Sequence, residues 1–412
     1  MTLPTNPRCL LITTHYLPLV GGAQTVYDEL ARNLHGHLVI LTSHCDYTSG
    51  KEVRGWNEFD RNASYNIIRL PKMRPRLLSG IPSFIDRFIN ACSGFEITRQ
   101  IKKRIRNEMQ QHQYDAICIG ALDALGYLVS WAQSEFSVPV LIYAHGEEIG
   151  QTPYNLRADK RRASAIDAAD GIVTVSSYTQ DLLQSKYSLN ADRIEVVTNG
   201  VDFQRFSARK HAEVRHKLGV GNGPLVVSVG RLVSRKGFDQ LIEAWNKVRG
   251  AVPGAELVIA GSGPYGPELE QLIAGEGLGD HVHMLGRVDN EMLPSLYASA
   301  DLFAMPNRTM PDGDTEGFGL VFLEAAAVGT PAVGGRAGGV PDAILDGKTG
   351  VLVDGNDTDE IADAIIGLLR DDERREKMAK AAQAHAKTQG WDGKARQFMA
   401  FVERLIQEKK AS

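Results

Sequence analysis

The chain has 412 residues, a formal net charge of −4 at pH 7 and a hydrophobic fraction of 43%. Because one core seldom serves more than about 250 residues, this length predicts two domains. The sequence lacks the run of ~20 apolar residues that a membrane-spanning helix needs, and its slightly acidic balance disfavours a nucleic-acid binder. The first residues do not resemble a secretion signal, and the four cysteines lack the spacing of a zinc site, so we expect a cytoplasmic protein.

Apolar runs of strand length alternate with helical patterns along both halves of the chain. They are CLLITT, HLVILTS, AICIG, VPVLIYA, GIVTVS and IEVVT in the first half and LVVSVG, AELVIAG, HVHMLG, DLFAMP, TPAVGG and GVLVD in the second. Such uniformly apolar runs are typical of strands that are buried on both faces of a parallel sheet. The sequence predicts an α/β protein of two doubly wound, Rossmann-like domains, residues 1–203 and 204–388. Ligands of such sheets bind beyond the carboxyl ends of the strands.

Two glycines end the loop after the first predicted strand. Gly21 and Gly22 precede a helix that carries Val26 and Leu30. A loop in this position can direct its amides at a phosphate or at an attacking hydroxyl. A purely architectural turn is the alternative, and the absence of a complete G-x-G-x-x-G fingerprint disfavours NAD as a cofactor.

A histidine follows the predicted strand VPVLIYA. His145 comes directly after this strand and before Gly146, so its side chain should stand where a ligand can approach closely. A buried histidine that is satisfied within the protein is the alternative. Glu147 is a weaker candidate for a sugar or acceptor contact.

Two basic residues follow the first predicted strand of the second half. Arg231 and Lys236 lie in GRLVSRKG, just before a helix. An arginine and a lysine in such a loop can stabilise the negative charge of a leaving diphosphate without a metal ion. Two solvated basic residues are the alternative.

Two glutamates with seven residues between them lie in TEGFGLVFLEAAAVG. Glu316 lies in a glycine-flanked turn, and Glu324 lies on the helix that follows. The amino end of this helix suits a diphosphate, and an acid within it suits ribose hydroxyls. A capping acid and a solvated helix residue are the alternative. The candidate donor-binding residues at this turn are Gly317, Phe318, Gly319 and Leu320.

In this order, the motifs VGGAQ, HGE, GRLVSRKG and the glutamate pair resemble the retaining GT-B glycosyltransferases of family 4. This family includes glycogen synthases, sucrose synthases and bacterial phosphatidylinositol mannosyltransferases, and the similarity covers nearly the whole chain. It implies a GT-B fold with two domains facing each other across a cleft and a last helix, residues 389–412, that crosses back to the first domain. Because VGGAQ, AHGEEIG and GFGLVFLEAAA are most similar to the mannosyltransferase branch, the expected donor is GDP-mannose. UDP-linked glucose or N-acetylglucosamine is the alternative.

The resemblance implies a retaining, metal-independent transfer of a hexose to a hydroxyl of a lipid-linked, saccharide or small-molecule acceptor. It assigns catalysis to Glu316, Arg231, Lys236 and His145, and it implies that the donor base binds near Val288. The acceptor hydroxyl would approach from the face that the diphosphate leaves. A sugar-nucleotide epimerase or a non-catalytic nucleotide-sugar binding protein of the same fold is the alternative.

Two further features carry separate expectations. Asp312-Gly313-Asp314 has the form of a metal-binding DxD motif, but turn formation explains it better, so we expect no metal requirement. The stretch Arg69 to Arg106 contains ten basic and two acidic residues among apolar ones. It predicts peripheral contact with the anionic inner face of the cytoplasmic membrane, with a solvated basic face as the alternative. Nothing between Asp46 and Arg76 identifies the acceptor.

Overall fold

The computed structural model describes residues 7–76, 84–151, 156–206 and 212–411. Its strands form two sheets in which every pair is parallel, so the predicted α/β class is confirmed. The strands of the first sheet are β1 (Cys9–Ile12), β2 (Leu38–Ser43), β3 (Ile67–Leu70), β4 (Ala116–Ile119), β5 (Val140–Ala144), β6 (Gly171–Thr174) and β7 (Ile194–Val196). Those of the second are β8 (Leu225–Val229), β9 (Glu256–Ala260), β10 (Val282–Gly286), β11 (Leu302–Met305), β12 (Ala332–Gly335) and β13 (Gly350–Val353).

Helices connect the strands throughout both halves, as a parallel sheet requires. They are α1 (Gly22–Asn33), α2 (Trp56–Asn62), α3 (Phe84–Gln111), α4 (Leu122–Leu125), α5 (Tyr127–Glu135), α6 (Glu147–Gly150), α7 (Leu156–Ala168), α8 (Ser177–Tyr187), α9 (Ala212–Lys217), α10 (Phe238–Ala251), α11 (Gly266–Gly275), α12 (Leu293–Ser299), α13 (Leu320–Ala327), α14 (Val340–Ala343), α15 (Thr358–Arg370), α16 (Asp372–Thr388) and α17 (Trp391–Ala411). Among the described helices, none is long and apolar enough to cross a membrane.

The strand order places a switch point in each sheet. The first sheet runs β3-β2-β1-β4-β5-β6-β7 and the second runs β10-β9-β8-β11-β12-β13. The chain therefore leaves β1 and β8 at the positions where the order reverses, and ligands of open parallel sheets bind beside such positions. The loop after β1 leads to Gly21, and the loop after β8 carries Arg231 and Lys236.

One strand of the first sheet, β3, was missed by the sequence pattern. Its residues are only partly buried because it forms the edge of the sheet, and an edge strand does not need the uniformly apolar run of a central strand. The remaining predicted runs each contain one observed strand. Cys9 and Cys118 lie in β1 and β4 as free, fully buried thiols, where they serve as small core residues.

The last helix, α17, packs against the first sheet and its helix α1. The Gln397 amide donates to Glu195 at 2.8 Å, and Lys409 Nζ lies 2.9 Å from Asp170 Oδ1. Gly171 leaves room for the Phe401 ring, since a Cβ there would lie 2.6 Å from it. These contacts join the end of the chain to the first half. The expected change of domain falls within residues 205–223, of which 207–211 lie outside the described residues.

The basic stretch is not a uniformly exposed surface. The Arg69 side chain is 3% exposed and lies 2.8 Å from Asp60. Farther along, in α3, Arg104 pairs with Glu108 at 2.7 Å. Residues 77–83 of the stretch, with the predicted apolar positions Leu77, Leu78 and Ile81, lie outside the described residues.

Candidate active site

The His145 side chain stands at the carboxyl end of β5 and is held by the first domain. Its Nε2 lies 2.7 Å from the hydroxyl of Tyr27 on α1, and this hydroxyl donates to the Gly120 carbonyl at 2.7 Å. Because the tyrosine proton is used on Gly120, Nε2–H is the donor to Tyr27. The ring is therefore the tautomer whose Nδ1 carries the lone pair.

Burial sets the charge state of His145 and Glu148, which lie on the first-domain wall of the cleft. It lowers the pKa of His145 to about 4, so the imidazole is neutral near pH 7. Glu148 accepts a hydrogen bond from the His145 backbone amide at 2.8 Å, and burial raises the pKa of this carboxyl to about 7. Glu147, the weaker candidate from the sequence, has an exposed side chain at the start of α6.

The second domain contributes a buried cluster of opposite charges. Glu316 Oε2 lies 2.5 Å from Lys236 Nζ and 2.7 Å from an Arg235 guanidinium nitrogen. Burial alone would raise the pKa of Glu316, but the two cations outweigh it and hold the pKa below its usual value. Arg235 also lies 3.3 Å from Asp314. Burial lowers the pKa of Lys236, and the neighbouring Glu316 opposes that shift. The cluster thus brings two basic side chains onto two acidic ones.

The sequence interpretation overlooked one cation of this cluster. Arg235 lies in a 3₁₀ turn, Ser234–Lys236, that brings it and Lys236 onto Glu316. Arg231 is exposed, and no hydrogen bond or ion pair joins it to the part of the chain that the structure describes. The signal that could have identified Arg235 is its place beside Lys236 in SRKG, because adjacent residues of a tight turn can both reach one acid.

Glu324 lies on α13, about one turn from the amino end of the helix. The hydroxyl of Tyr297 donates to Glu324 Oε2 at 2.9 Å. Burial raises the pKa of this carboxyl, while Tyr297 and Arg205 oppose the shift. Glu324 and Glu316 thus have different environments, since the first meets a neutral phenol and the second meets two cations.

The turn before α13 depends on its glycines. Gly319 caps the helix with φ of 92°, a left-handed conformation that favours glycine. Phe318 is buried at 3% exposure, and Leu320, the first helical residue, packs on the core. The backbone amides of the turn therefore lie at the positive end of α13.

The two domains touch at the turn that precedes α13. A Cβ on Gly317 would lie 2.0 Å from the carbonyl oxygen of His145, and one on Gly146 would lie 3.2 Å from the Gly317 Cα. Nearby, Asp342 accepts from the amide and the hydroxyl of Ser177 at 2.5 and 2.7 Å. The His145 and Glu316 motifs, 171 positions apart by their numbers, are therefore brought together across the cleft.

The remaining candidate positions lie outside the Glu316 cluster. Gly21 precedes α1 with extended backbone, and a Cβ on Gly22, the first residue of α1, would meet no atom within 4 Å. Val288, just beyond β10, is partly buried against the core of the second domain. The DxD-like segment forms a turn, in which the Asp314 amide donates to Asp312 at 3.0 Å.

Two family models match the chain. The model described as Glycosyltransferase Family 4 matches residues 20–205, and the model described as Glycosyl transferases group 1 matches residues 211–385. The first range includes His145, and the second includes both Glu316 and Glu324.

Curated relatives match over nearly the whole chain. A GDP-mannose-dependent alpha-(1-6)-phosphatidylinositol monomannoside mannosyltransferase of Mycobacterium tuberculosis is 35% identical over 403 residues, covering 96% of this chain and 98% of the relative. A protein of the same name from Mycolicibacterium smegmatis is 33% identical over 390 residues, covering 94% and 95%. A D-inositol 3-phosphate glycosyltransferase of Nocardia farcinica is 34% identical over 250 residues, covering 59% and 54%.

Solved structures resemble the chain over both domains. Anabaena HepE in complex with UDP and glucose has a TM-score of 0.74 at 20% identity, covering 95% of this chain and 98% of that chain. Sucrose-phosphate synthase from Thermosynechococcus elongatus has a TM-score of 0.74 at 22% identity, covering 98% and 100%. At these identities the likeness establishes the fold, and the expected two-domain GT-B architecture is confirmed.

Proposed function

We propose that this chain, which belongs to glycosyltransferase family 4 and is a nucleotide-sugar-dependent enzyme, transfers mannose from GDP-mannose to a hydroxyl of a phosphoinositol-based acceptor with retention of configuration. The observation that carries the proposal is the buried Glu316–Lys236–Arg235 cluster, whose loop meets the His145 loop across the cleft. The names of the relatives that match over nearly their whole length support the choice of donor and acceptor class.

The diphosphate would bind where amides and cations converge. The amino end of α13 offers backbone N–H groups, and Lys236 and Arg235 lie beside it on Glu316. Arg231 is exposed in the same loop, so it can turn toward the phosphates as they arrive. Cleavage of the sugar-to-phosphate bond builds negative charge on the leaving oxygen, and these cations would stabilise it in the transition state.

Glu316 would hold the transferred sugar. In the structure its carboxylate is neutralised by Lys236 and Arg235. An incoming diphosphate competes for these cations, so donor binding would release carboxylate lone pairs for sugar hydroxyls. The released carboxylate would also support positive charge on the sugar as the bond breaks, which requires that it stay ionised. Because Lys236 and Arg235 hold the pKa of Glu316 below its usual value against burial, they would have to stay near this carboxylate while they contact the diphosphate.

His145 would complete the sugar site from the first domain. Its Nδ1 lone pair can accept a hydrogen bond from a sugar hydroxyl, because Nε2–H is already held by Tyr27. A neutral ring at this place adds no positive charge opposite the developing oxocarbenium ion, and the pKa of about 4 keeps it neutral.

Glu324 and Val288 would bind the nucleoside. Glu324 lies about one turn along α13 from the diphosphate site, a suitable place for accepting hydrogen bonds from ribose hydroxyls. Val288 offers an apolar surface beyond β10 for the base. The acceptor hydroxyl would attack from the face that the diphosphate leaves and give its proton to a phosphate oxygen. We expect no metal ion in this reaction, since the cations of the loop supply the charge.

Two measurements test the proposal. The first is the shift in melting temperature with GDP, UDP or ADP, each with and without EDTA. Saturation at ~100 times Kd adds roughly 2.7 kcal/mol, which amounts to several degrees. We expect a shift with GDP that persists in EDTA. A shift with UDP instead would replace the donor, and loss of the GDP shift in EDTA would contradict the metal-independent site.

The second measurement follows transfer itself. Purified protein is incubated with GDP-mannose and phosphatidylinositol monomannoside in detergent, and the product linkage is read by NMR. We expect a new α-linked mannose. Release of GDP without a glycoside product, or a β-linked product, would contradict the proposed reaction.

A further inference from the structure

A cavity of about 220 Å³ lies in the first domain, beyond the carboxyl ends of β1, β2 and β3. It is separate from the donor cluster in the second domain. It is lined by residues at or just beyond the ends of the three strands, among them Thr14 after β1, Ser43 at the end of β2 and Asp46 after it, and Lys72, Arg74 and Arg76 after β3. The side of the sheet that opens on the cleft therefore carries three cations at one cavity.

The carboxylate that lines the cavity, Asp46, already has hydrogen-bond partners in its own loop. Asp46 accepts hydrogen bonds from the amides and hydroxyls of Thr48 and Ser49 at 2.7 to 3.1 Å, and its Oδ1 lies 3.1 Å from His15 Nε2. These bonds hold the pKa of Asp46 well below its usual value, although its partial burial opposes them. The cavity lining thus keeps an excess of positive charge.

The two arginines pack on neighbouring groups of the lining and do not pair with acids among the described residues, and Lys72 and Arg76 are exposed. The Arg74 guanidinium lies 4.4 Å from the centre of the Tyr47 ring, which stacks on His15 at 3.9 Å. The side chain of Arg76 packs over Gly50, where a Cβ would lie 3.3 Å from it. Within the described ranges, no carboxylate pairs with Arg74, Arg76 or Lys72.

We propose that this cavity binds the phosphate of the acceptor, an inference that rests on the proposed function and names the group by which the first domain recognises its substrate. Three cations around one small cavity fit a phosphate ester, which accepts charge-assisted hydrogen bonds on several oxygens. Pockets for drug-sized ligands measure roughly 300 to 1,000 Å³, so a cavity of 220 Å³ suits one phosphorylated polyol and not a whole glycolipid.

The position of the cavity suits an acceptor. Thr14 and His15 follow β1, the strand at the switch point, and the same loop continues to Gly21 and Gly22 at the start of α1. A phosphate held beyond β3 would thus bind at the same edge of the sheet as His145, which follows β5. The relatives are named for phosphatidylinositol monomannoside and for D-inositol 3-phosphate, and both acceptors carry a phosphate.

The test compares pocket cations with a matched basic residue outside the pocket. The variants are Lys72→Gln and Arg74→Gln, and the control is Lys103→Gln, an exposed position of the same basic stretch that does not line the cavity. Binding of inositol 1-phosphate is measured by isothermal titration, and the melting temperature checks the fold. Each pocket variant removes a hydrogen bond between a charged side chain and the phosphate, so we expect it to weaken binding by about 10-fold or more. The control should leave binding unchanged.

A kinetic arm separates a soluble phosphate from a lipid headgroup. Initial rates are measured with GDP-mannose and three acceptors: deacylated phosphoinositol mannoside, the same compound without phosphate, and phosphatidylinositol monomannoside in vesicles. We expect the pocket variants to raise the KM about 10-fold for both phosphorylated acceptors, and to leave unchanged the KM for the unphosphorylated acceptor and that for GDP-mannose. An effect confined to vesicles, or one shared by Lys103→Gln, would overturn the pocket in favour of membrane attraction.

The two arms keep this inference distinct from the proposed function. Binding of inositol 1-phosphate that requires Lys72 and Arg74 supports the pocket even if GDP-mannose is not the donor. The protein could instead transfer mannose to phosphatidylinositol monomannoside without binding inositol 1-phosphate in this way. That result would support the proposed function and contradict the phosphate pocket.

Discussion

The two walls of the cleft keep their ionisable groups in opposite states. On the first-domain wall, burial without a counter-charge keeps His145 neutral near pH 7 and raises the pKa of Glu148 to about 7, so this carboxyl is only partly ionised there. On the second-domain wall, Glu316 is equally enclosed but ionised, because it pairs with Lys236 and Arg235. Burial alone therefore does not decide charge here, and partners do. The ionic wall is suited to a departing diphosphate, and the neutral wall is suited to a sugar that gains positive charge.

The largest expected effect comes from removing the carboxylate of the ionic wall. Glu316→Gln should lower kcat by about 100-fold or more, since it removes charge stabilisation that the transition state needs. It should not weaken the binding of GDP, because the diphosphate no longer competes with the Glu316 carboxylate for Lys236 and Arg235. Steady-state kinetics and GDP titration measure both quantities. Glu373→Gln, which changes an exposed acid on α16 outside the cluster, is the control.

A loss of GDP affinity in Glu316→Gln as large as that in Glu324→Gln would contradict the separate roles of the two acids. Glu324→Gln should weaken GDP and leave most of the turnover at saturating donor. The neutral Tyr297 partner of Glu324 makes this variant mild for folding, since the amide oxygen can still accept its hydroxyl proton.

The next effect distinguishes Arg235, which pairs with Glu316, from Arg231, which is exposed. Arg235→Gln should lower both GDP affinity and the melting temperature, because it breaks a buried pair with Glu316. Arg231→Gln should lower GDP affinity by roughly 10-fold with an unchanged melting temperature, since its side chain is exposed. Titration calorimetry and thermal unfolding measure the two effects. Unchanged GDP affinity in Arg231→Gln would remove this residue from the donor site.

The sequence predicted the sheets and the motif positions better than it predicted their partners. Uniform apolar runs identified central strands, but β3 escaped because an edge strand is only partly buried. Glu316 and Lys236 could be proposed from the spacing of their motifs. Arg235 was missed because its contact depends on a 3₁₀ turn. The cavity at Lys72 and Arg74 was invisible for a similar reason, since its cations gather only after β1, β2 and β3 pair.

The contact between the walls gives a smaller effect. Gly317→Ala would place a methyl group 2.0 Å from the His145 carbonyl, so the domains must separate or the loop must shift. We expect kcat to fall by about 10-fold, because displacement of one wall by about 1 Å is costly to catalysis. The control is Gly250→Ala in α10, where the added methyl meets no atom within 4 Å. Small-angle scattering would reveal an opened cleft, and full activity in Gly317→Ala would contradict the closed contact.

The smallest effect tests the neutral wall through pH. Between pH 4 and 6.5, His145 binds a proton in the unfolded chain but not in the native state. This group therefore makes the free energy of unfolding rise with pH. Between pH 4.5 and 7 the native state keeps a proton on Glu148 that the unfolded chain releases, so this group makes stability fall with pH. The two slopes, each about 1.4 kcal/mol per pH unit at most, oppose each other from pH 4.5 to 6.5.

Single variants should therefore expose opposite slopes that the wild type conceals. The free energy of unfolding of Glu148→Gln, which keeps only the His145 slope, should fall as the pH falls from 6.5 to 4, and that of His145→Gln, which keeps only the Glu148 slope, should fall as the pH rises from 4.5 to 7. Urea unfolding at half-unit pH steps measures both. If the free energy of unfolding of the two variants changed with pH in the same direction, His145 and Glu148 would not have the shifted pKa values given above. The first-domain wall would then be ionised like the second-domain wall.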